Sequence, residues 1–363
     1  TVPAINLRSL TYDLARAIFR VGKRNNAKAF IFEIAKSEMG YTAQPPVEYS
    51  AVILAAAIKE NYSGPVFIQG DHFQANLKKY QENADKEIEA LQALITEAVG
   101  AGFYNIDIDS STLVDLSKPK VKDQQYSNYE VCAKLTQFIR RIEPKGITVS
   151  VGGEIGEVGH QNSTQEDLRA FMEGFKQRLR KGLIGISKIS IQTGTSHGGV
   201  VLPDGTIAQV KLDFETLKDL SELARREFGL GGAVQHGAST LPEEAFHKFA
   251  ECQTCEVHLA TGFQNMIFDS KHFPADLKKR IYDWLKVNAA NEAKAGETEE
   301  QFFYKTRKKA LGAFKKEIVS LPLATREAIA QEIENKFDFL FKQLNAVDNA
   351  SLVDKYVTLK RVI

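Results

Sequence analysis

Pro65-Val66-Phe67-Ile68-Gln69-Gly70-Asp71-His72 is the stretch on which the fold turns. A short apolar run holding β-branched and aromatic residues reads as a strand. No hairpin turn comes after it. A polar pair, Asp71-His72, comes first, and then helical periodicity over 76–100. The same order recurs along the chain. Apolar runs stand at Phe30–Ile34, Tyr104–Ile108, Ile147–Val151, Lys188–Gln192, Gly232–Gln235 and Val257–Ala260, and Pro3–Asn6 supplies a short first strand. Helical patterns fill 8–23, 46–62, 126–143, 164–182, 213–228, 242–251 and 273–294. Strands that alternate with helices must run parallel and cross over. Polar groups at nearly every strand end select a (β/α)8 TIM barrel over an open doubly wound sheet, because a barrel builds its site at that face.

Local punctuation fits this reading. Gly102, Gly182 and Gly229 sit where helix C-caps are expected. Ser163-x-x-Glu166 and Thr240-x-x-Glu243 have the spacing of capping boxes. Beyond residue 294 the alternation stops. Residues 297–345 read as two helices broken at Leu321-Pro322, and Ile329, Ile333, Phe337, Phe341 and Leu344 share one apolar face. The expected organisation is a barrel over 1–294 and a C-terminal helical extension over 295–363, packed on the barrel or on a second subunit.

Bulk properties narrow the function classes. The 363 residues carry 47 basic and 46 acidic groups, so there is no general electrostatic pull toward nucleic acid or membrane. No apolar run approaches the roughly 20 residues that span a bilayer. Thr1–Asn6 lacks the pattern of a secretory signal, and three cysteines make no disulfide framework. A cytoplasmic location is the expectation. Cys252-x-x-Cys255 has no second pair to complete a four-thiolate site and reads as structural thiols. His247 and His272 read as surface residues, and Arg307-Lys308-Lys309 as a solvated helix face, with contact to a phosphate as its alternative.

The strand ends hold the chemistry. They read Gly70-Asp71-His72, Asp109-Ser110-Ser111, Gly152-Gly153-Glu154, Thr193-Gly194-Thr195-Ser196-His197-Gly198 and His236-Gly237-Ala238-Ser239. Three of the seven histidines, His72, His197 and His236, come directly after an apolar strand or in the turn beyond it. Three imidazoles with an open fourth position make the usual catalytic zinc site. Asp109 and Glu154 are placed to bind a second cation or to orient the imidazoles.

At these residues the chain resembles the class II, metal-dependent ketose-bisphosphate aldolases, over roughly residues 3–270. Asp71-His72, Ile108-Asp109-Ser110-Ser111, Val149–Gly156, Gly194–Gly198 and His236–Ser239 match that family's motifs in order. The resemblance implies a metal that binds ketose oxygens and stabilises the enediolate left by carbon–carbon cleavage. It implies His72, His197 and His236 as ligands of Zn2+ (or another divalent ion) and Asp71 as the group that moves the hydroxyl proton. Gly198 and Ser239 match positions that cradle a phosphate. Its products would be dihydroxyacetone phosphate and an aldehyde, its substrate a ketose (bis)phosphate such as fructose 1,6-bisphosphate, and its assembly a homodimer or homotetramer.

Departures accompany the match. The loop after the fifth strand lacks the family's second catalytic Glu, which leaves Glu157 or His160 for the second proton transfer. Where the family reads K-[IM]-N-x-[DN]-T, this chain reads Glu256-Val257-His258-Leu259-Ala260-Thr261. His258 and Thr261 therefore fall at substrate-binding positions, with His for Asn and Ala for Asp or Asn. Phe32–Ser37 and Gly40-Tyr41-Thr42 also resemble the non-catalytic subunit of tagatose-bisphosphate aldolase. Related barrels include metal-dependent keto-sugar acid epimerases, so epimerisation and an accessory-subunit role stand as alternatives.

Overall fold

A computed structural model describes residues 1–156, 161–194, 202–203 and 212–360. Eight parallel strands close into a barrel in sequence order: β1 Val2–Asn6, β2 Ile31–Ala35, β3 Phe67–Gln74, β4 Asn105–Asp109, β5 Ser150–Gly156, β6 Lys188–Ile191, β7 Ala233–Gln235 and β8 Glu256–Leu259. The (β/α)8 expectation holds, and β1 seals the ring by pairing with both β2 and β8.

Two strands run farther than the apolar pattern indicated. β3 continues through Asp71 and His72 to Gln74, with a register shift between Gly70 and Phe73. Here His72 takes φ +41°, a left-handed conformation that costs a residue with a Cβ. A Cβ on Gly70 would stand 2.4 Å from the Phe73 ring, so the bulge needs glycine there. β5 continues to Gly156, with its own irregularity between Glu154 and Gly156. Both bulges lie at the barrel rim, where such a kink re-aims side chains.

Helices cover the outside, with some boundaries moved. The 76–100 segment divides at Asn83, whose side chain caps Ala84–Gly100 by accepting from the Lys86 amide. The capping box lies one residue later than expected: Thr164 accepts from the Asp167 amide, and the Asp167 carboxylate accepts from the Thr164 amide. No box forms at Thr240, because Leu241 and Pro242 are extended and only a 3-10 turn comes next, at Glu243–Ala245.

After residue 294 the chain makes Glu299–Thr306, a 3-10 turn Arg307–Ala310, Lys315–Val319, Leu323–Gln343 and Ala350–Tyr356 rather than two helices. The expected apolar face is real: Ile329, Ile333, Phe337, Phe341 and Leu344 are all buried. It packs on the helix Thr11–Arg24, with Phe341 against Phe30 at 5.5 Å and Phe337 against Phe263 at 4.8 Å. Ion pairs rim the contact, Arg20 to Glu334 at 2.6 Å and Arg24 to Asp338 at 3.1 Å. Arg307 corrects the reading of its basic run. It is buried, with Nη1 3.0 Å from Asp269 Oδ1 and Nη2 donating to Asn265 Oδ1 at 2.6 Å. No described helix is long and apolar enough to cross a membrane.

Candidate metal centre and its surroundings

The barrel interior is polar where a barrel ordinarily stacks aliphatic layers. Strand alternation turns Glu33, Gln69, Asp107, Lys188, Glu256 and His258 inward, and all are buried. Lys188 Nζ donates to Gln69 Oε1 and Glu256 Oε1, both at 2.6 Å, and lies 3.1 Å from Asp107. Gln69 Nε2 donates to Glu33 at 3.1 Å and to Glu256 at 2.7 Å. A Cβ on Gly152 would meet the Asp107 carboxylate at 2.3 Å. Glycine at this position therefore makes room for the Asp107–Lys188 pair.

Above this layer three imidazoles gather. His236 sits between the other two, its ring tilted against both, 4.2 Å from the ring of His72 and 4.1 Å from that of His258. Asp71 is their common neighbour. Its Oδ1 lies 3.2 Å from His258 Nδ1 and 3.9 Å from both His72 Nε2 and His236 Nδ1. That oxygen is buried without a hydrogen bond among the described residues. Burial raises the pKa of Asp71, but His72, His258 and His236 outweigh burial and hold the carboxyl well below its usual range.

The other face of His72 is anchored. Its Nδ1 lies 3.0 Å from Asp109 Oδ2 and 3.3 Å from Glu154 Oε2. Asp109 is fixed in turn by Ser111 Oγ at 2.7 Å and Gln74 Nε2 at 2.5 Å. Burial, then the Asp109 charge, pushes Glu154 up to about 7. His236 Nε2 lies 3.0 Å from Ser190 Oγ. His72 and His236 thus each have one nitrogen held by the protein while the other faces Asp71, the arrangement that metal-binding histidines adopt. One ligand atom from each of Asp71, His72 and His236 fits within 4.8 Å, as do those of His72, Asp109 and Glu154. An orphaned carboxylate oxygen between imidazoles suits a divalent cation.

His258 belongs to both layers. Its Nδ1 lies 3.0 Å from Glu33 and its Nε2 2.7 Å from Glu256. Desolvation opposes its charge, but Glu33 and Asp71 raise its pKa well above the ordinary imidazole value.

These groups open into a cavity of about 800 Å3, whose wall includes Asp71, His72, His236, Ser239, His258 and Thr261. Ser239 Oγ accepts from the Gly262 amide at 3.0 Å, and Thr261 Oγ1 from Arg8 Nη1 at 3.2 Å. His197, Gly198, Glu157 and His160 lie outside the described residues. Sequence reasoning missed Arg8, Glu38 and Lys36, which also line the cavity, and Lys308 joins them there rather than lying on a solvated face. Arg8 lies just beyond β1, and Arg8 Nη2 is 2.6 Å from Glu38. Cys252 and Cys255 sit at the helix-to-strand junction before β8 and are free thiols, as expected. His247 and His272 are exposed and pair with Glu251 and Glu332.

The sequence model of "Fructose-bisphosphate aldolase class-II" matches residues 1–342. The chain belongs to that family. Within it, a 93-residue stretch is 30% identical to "D-tagatose-1,6-bisphosphate aldolase subunit GatZ" of Escherichia coli K12. That stretch is 24% of this chain and 22% of the relative, so the likeness spans under a quarter of either protein. Among solved structures, a "probable tagatose 6 phosphate kinase" from Sinorhizobium meliloti shares the fold at TM-score 0.63 and 16% identity, with 98% of each chain covered. The "fructuronate-tagaturonate epimerase UxaE" from Cohnella laeviribosi does so at TM-score 0.62 and 12% identity, over 95% of this chain and 81% of that one. Identities this low speak for the barrel alone.

Proposed function

We propose that this family member is a zinc-dependent lyase that reversibly cleaves a phosphorylated ketose, such as fructose 1,6-bisphosphate, into dihydroxyacetone phosphate and an aldehyde. The observation that carries the reading is the convergence of His72 and His236 on one buried oxygen of Asp71, in a chain of this family. His72, His236 and His197 hold the cation, while Asp109 and Glu154 orient His72 through Nδ1. The cation supplies Lewis acidity toward the oxygens of the ketose. Asp71, ionised and at the cavity wall, takes the proton from the hydroxyl at the bond to be cleaved. Glu157 or His160 serves the second proton transfer. Gly198 and Ser239 hold the phosphate near the metal, and His258 and Thr261 bind the same end of the sugar. Residues 1–294 form the catalytic barrel and 295–363 its extension, in a cytoplasmic homodimer or homotetramer.

A second reading uses the same residues for epimerisation of a keto-sugar acid. His258 and Ala260 favour it, because they stand where the family reads Asn and Asp or Asn and so alter the pocket. Elemental analysis of the purified chain, paired with a coupled assay for triose phosphate release, separates the readings. About one metal per chain with chelator-sensitive cleavage supports the lyase. Metal without fragment release, but with inverted configuration in a hexuronate, moves the function to epimerisation. Lack of metal after zinc is supplied, with stimulation of a partner aldolase, would make the chain an accessory subunit.

A further inference from the structure

The helix Pro46–Lys59, between β2 and β3, is apolar on both sides. Its inner side holds Tyr49, Ile53, Ala56 and Ala57, all buried, with the Tyr49 hydroxyl donating to the Glu33 carbonyl at 2.6 Å. On its outer side Val47, Leu54 and Ile58 are 63%, 46% and 77% exposed, and Ala51 and Ala55 are exposed between them. A helix that is apolar all round is ordinarily buried all round. This one keeps a full stripe in water.

The spacing of the stripe indicates what covers it. Val47, Ala51, Leu54 and Ile58 recur at intervals of four, three and four, which is the seam of a coiled coil, so the stripe suits a second helix. Turned about a two-fold axis, the seam complements itself. Val47 of one copy meets Ile58 of the other, and Ala51 meets Leu54, so a small residue receives a large one in each central layer. A closed two-fold dimer demands such self-complementarity.

The charges at the ends agree. Lys59 is exposed and has no acceptor among the described residues. Antiparallel packing brings it within about one turn of Glu48 on the second copy. Glu48 is half-buried and shares its carboxylate with Lys315. A lipid surface is the poorer occupant, because helices that lie on lipid flank their apolar face with many Lys or Arg. Lys59 is the single basic residue of this helix.

We propose that the face Val47–Ile58 is an interface between two copies of this chain, packed as an antiparallel helix pair about a two-fold axis. It gives the proposed homo-oligomer a surface and does not depend on the chemistry of the site. The seam is about 18 Å long and about 10 Å wide. Val319, one turn from the Lys315 that holds Glu48, is 47% exposed and lengthens it. The area stays well below the roughly 800 Å2 per partner of a standard interface, so the association is weak and concentration-dependent.

The test is sedimentation of the zinc-loaded full chain over a concentration series, beside Leu54→Glu and Ile58→Lys. The wild type should pass from monomer to dimer as concentration rises. Each substitution enters a two-fold interface twice, so a tenfold loss per copy raises the dissociation constant by about 100-fold. Both positions are exposed in the single chain, so both variants should melt with the wild type at dilution. Orientation has its own readout. A short bis-maleimide should join Val47→Cys to Ile58→Cys in a mixture of the two. It should not join Val47→Cys to itself, because the two positions lie about 16 Å apart along an antiparallel seam. A wild type that stays monomeric at every concentration would overturn the interface, and so would dimers that survive Leu54→Glu. Capture of the monomer by phosphatidylcholine vesicles, abolished in Leu54→Glu, would give the face to lipid instead. A chain that dimerises through this seam yet cleaves no sugar keeps the interface and loses only the lyase reading.

Discussion

Lys188 Nζ and Glu256 Oε1 lie 2.6 Å apart in the interior of a closed barrel, both side chains buried. The pair joins β6 to β8 across the interior, and Asp107 and Gln69 complete the surroundings of the ammonium. Lys188→Met takes the nearest cation from both Glu256 and Asp107 and leaves His258 as the remaining one. Removing one partner of a buried pair typically costs about 3–5 kcal/mol. Urea unfolding of Lys188→Met should show a loss of that size, and a midpoint equal to wild type would mean that the network does not hold the barrel together.

Asp109 tests whether His72 is held for a metal. In Asp109→Asn the fold should survive, since an amide fills the same space. Zinc affinity should fall roughly 10–100-fold, the usual effect of losing the group that orients a liganding imidazole. Competition with a chromophoric chelator measures this, and unchanged affinity would detach Asp109 from the site.

Asp71→Asn separates proton transfer from metal retention. Cleavage should drop by about 10^2–10^4-fold, the range for a lost general acid–base group. Metal content should fall far less than cleavage does, because His72, His197 and His236 are the proposed ligands. A variant that cleaves at the wild-type rate rules out Asp71 as the proton-transfer group.

Acid stability has a definite sign at Asp338. Desolvation pushes its pKa up, but its bonds to Lys342, Asn25 and Arg24 together outweigh that and lower it to about 2. A depressed carboxyl stabilises the fold fully above its unfolded value of roughly 4. That contribution fades as pH falls toward about 2. Thermal midpoints of wild type and Asp338→Asn should differ most near neutrality and converge by the acid end of that window. A gap that persists undiminished at the acid end would contradict the assignment.

Phe337→Ala should destabilise by about 3–5 kcal/mol, as large aromatic truncations in packed cores do. Phe337 is fully buried against Phe263, on the helix Thr261–Asp269 that succeeds β8. Calorimetry of the variant checks this, and a loss under about 1 kcal/mol would show that the C-terminal packing is dispensable.

The legible parts of the sequence were those with local signals. Eight apolar runs and the Ile329–Leu344 face announce themselves by period, and Asp71-His72 stands out as a polar pair closing such a run. The bulge at Gly70–Phe73 left no period to read, so β3 appeared to stop before His72 rather than to carry it. Charges embedded in apolar runs, Glu33, Asp107 and Lys188, were a usable signal for a polar interior, because alternation sends one side of each strand inward. The cavity wall supplied by Lys308 had only a basic run as its local sign, which did not place it beside Arg8. Lys308 lies 300 residues from Arg8 in the chain, and only tertiary packing joins them.

That outer wall has a consequence in time. All eight strands precede Lys308, and about 50 residues separate it from the end of β8. At about 5–20 residues per second of synthesis, a few seconds pass between the emergence of the last strand and that of the wall. During translation the chain would first expose a ring of strands with an unroofed chamber, and only later a vessel with two ends. A ligand that needs both ends of the chamber would thus meet a barrel that has already had its chance to close.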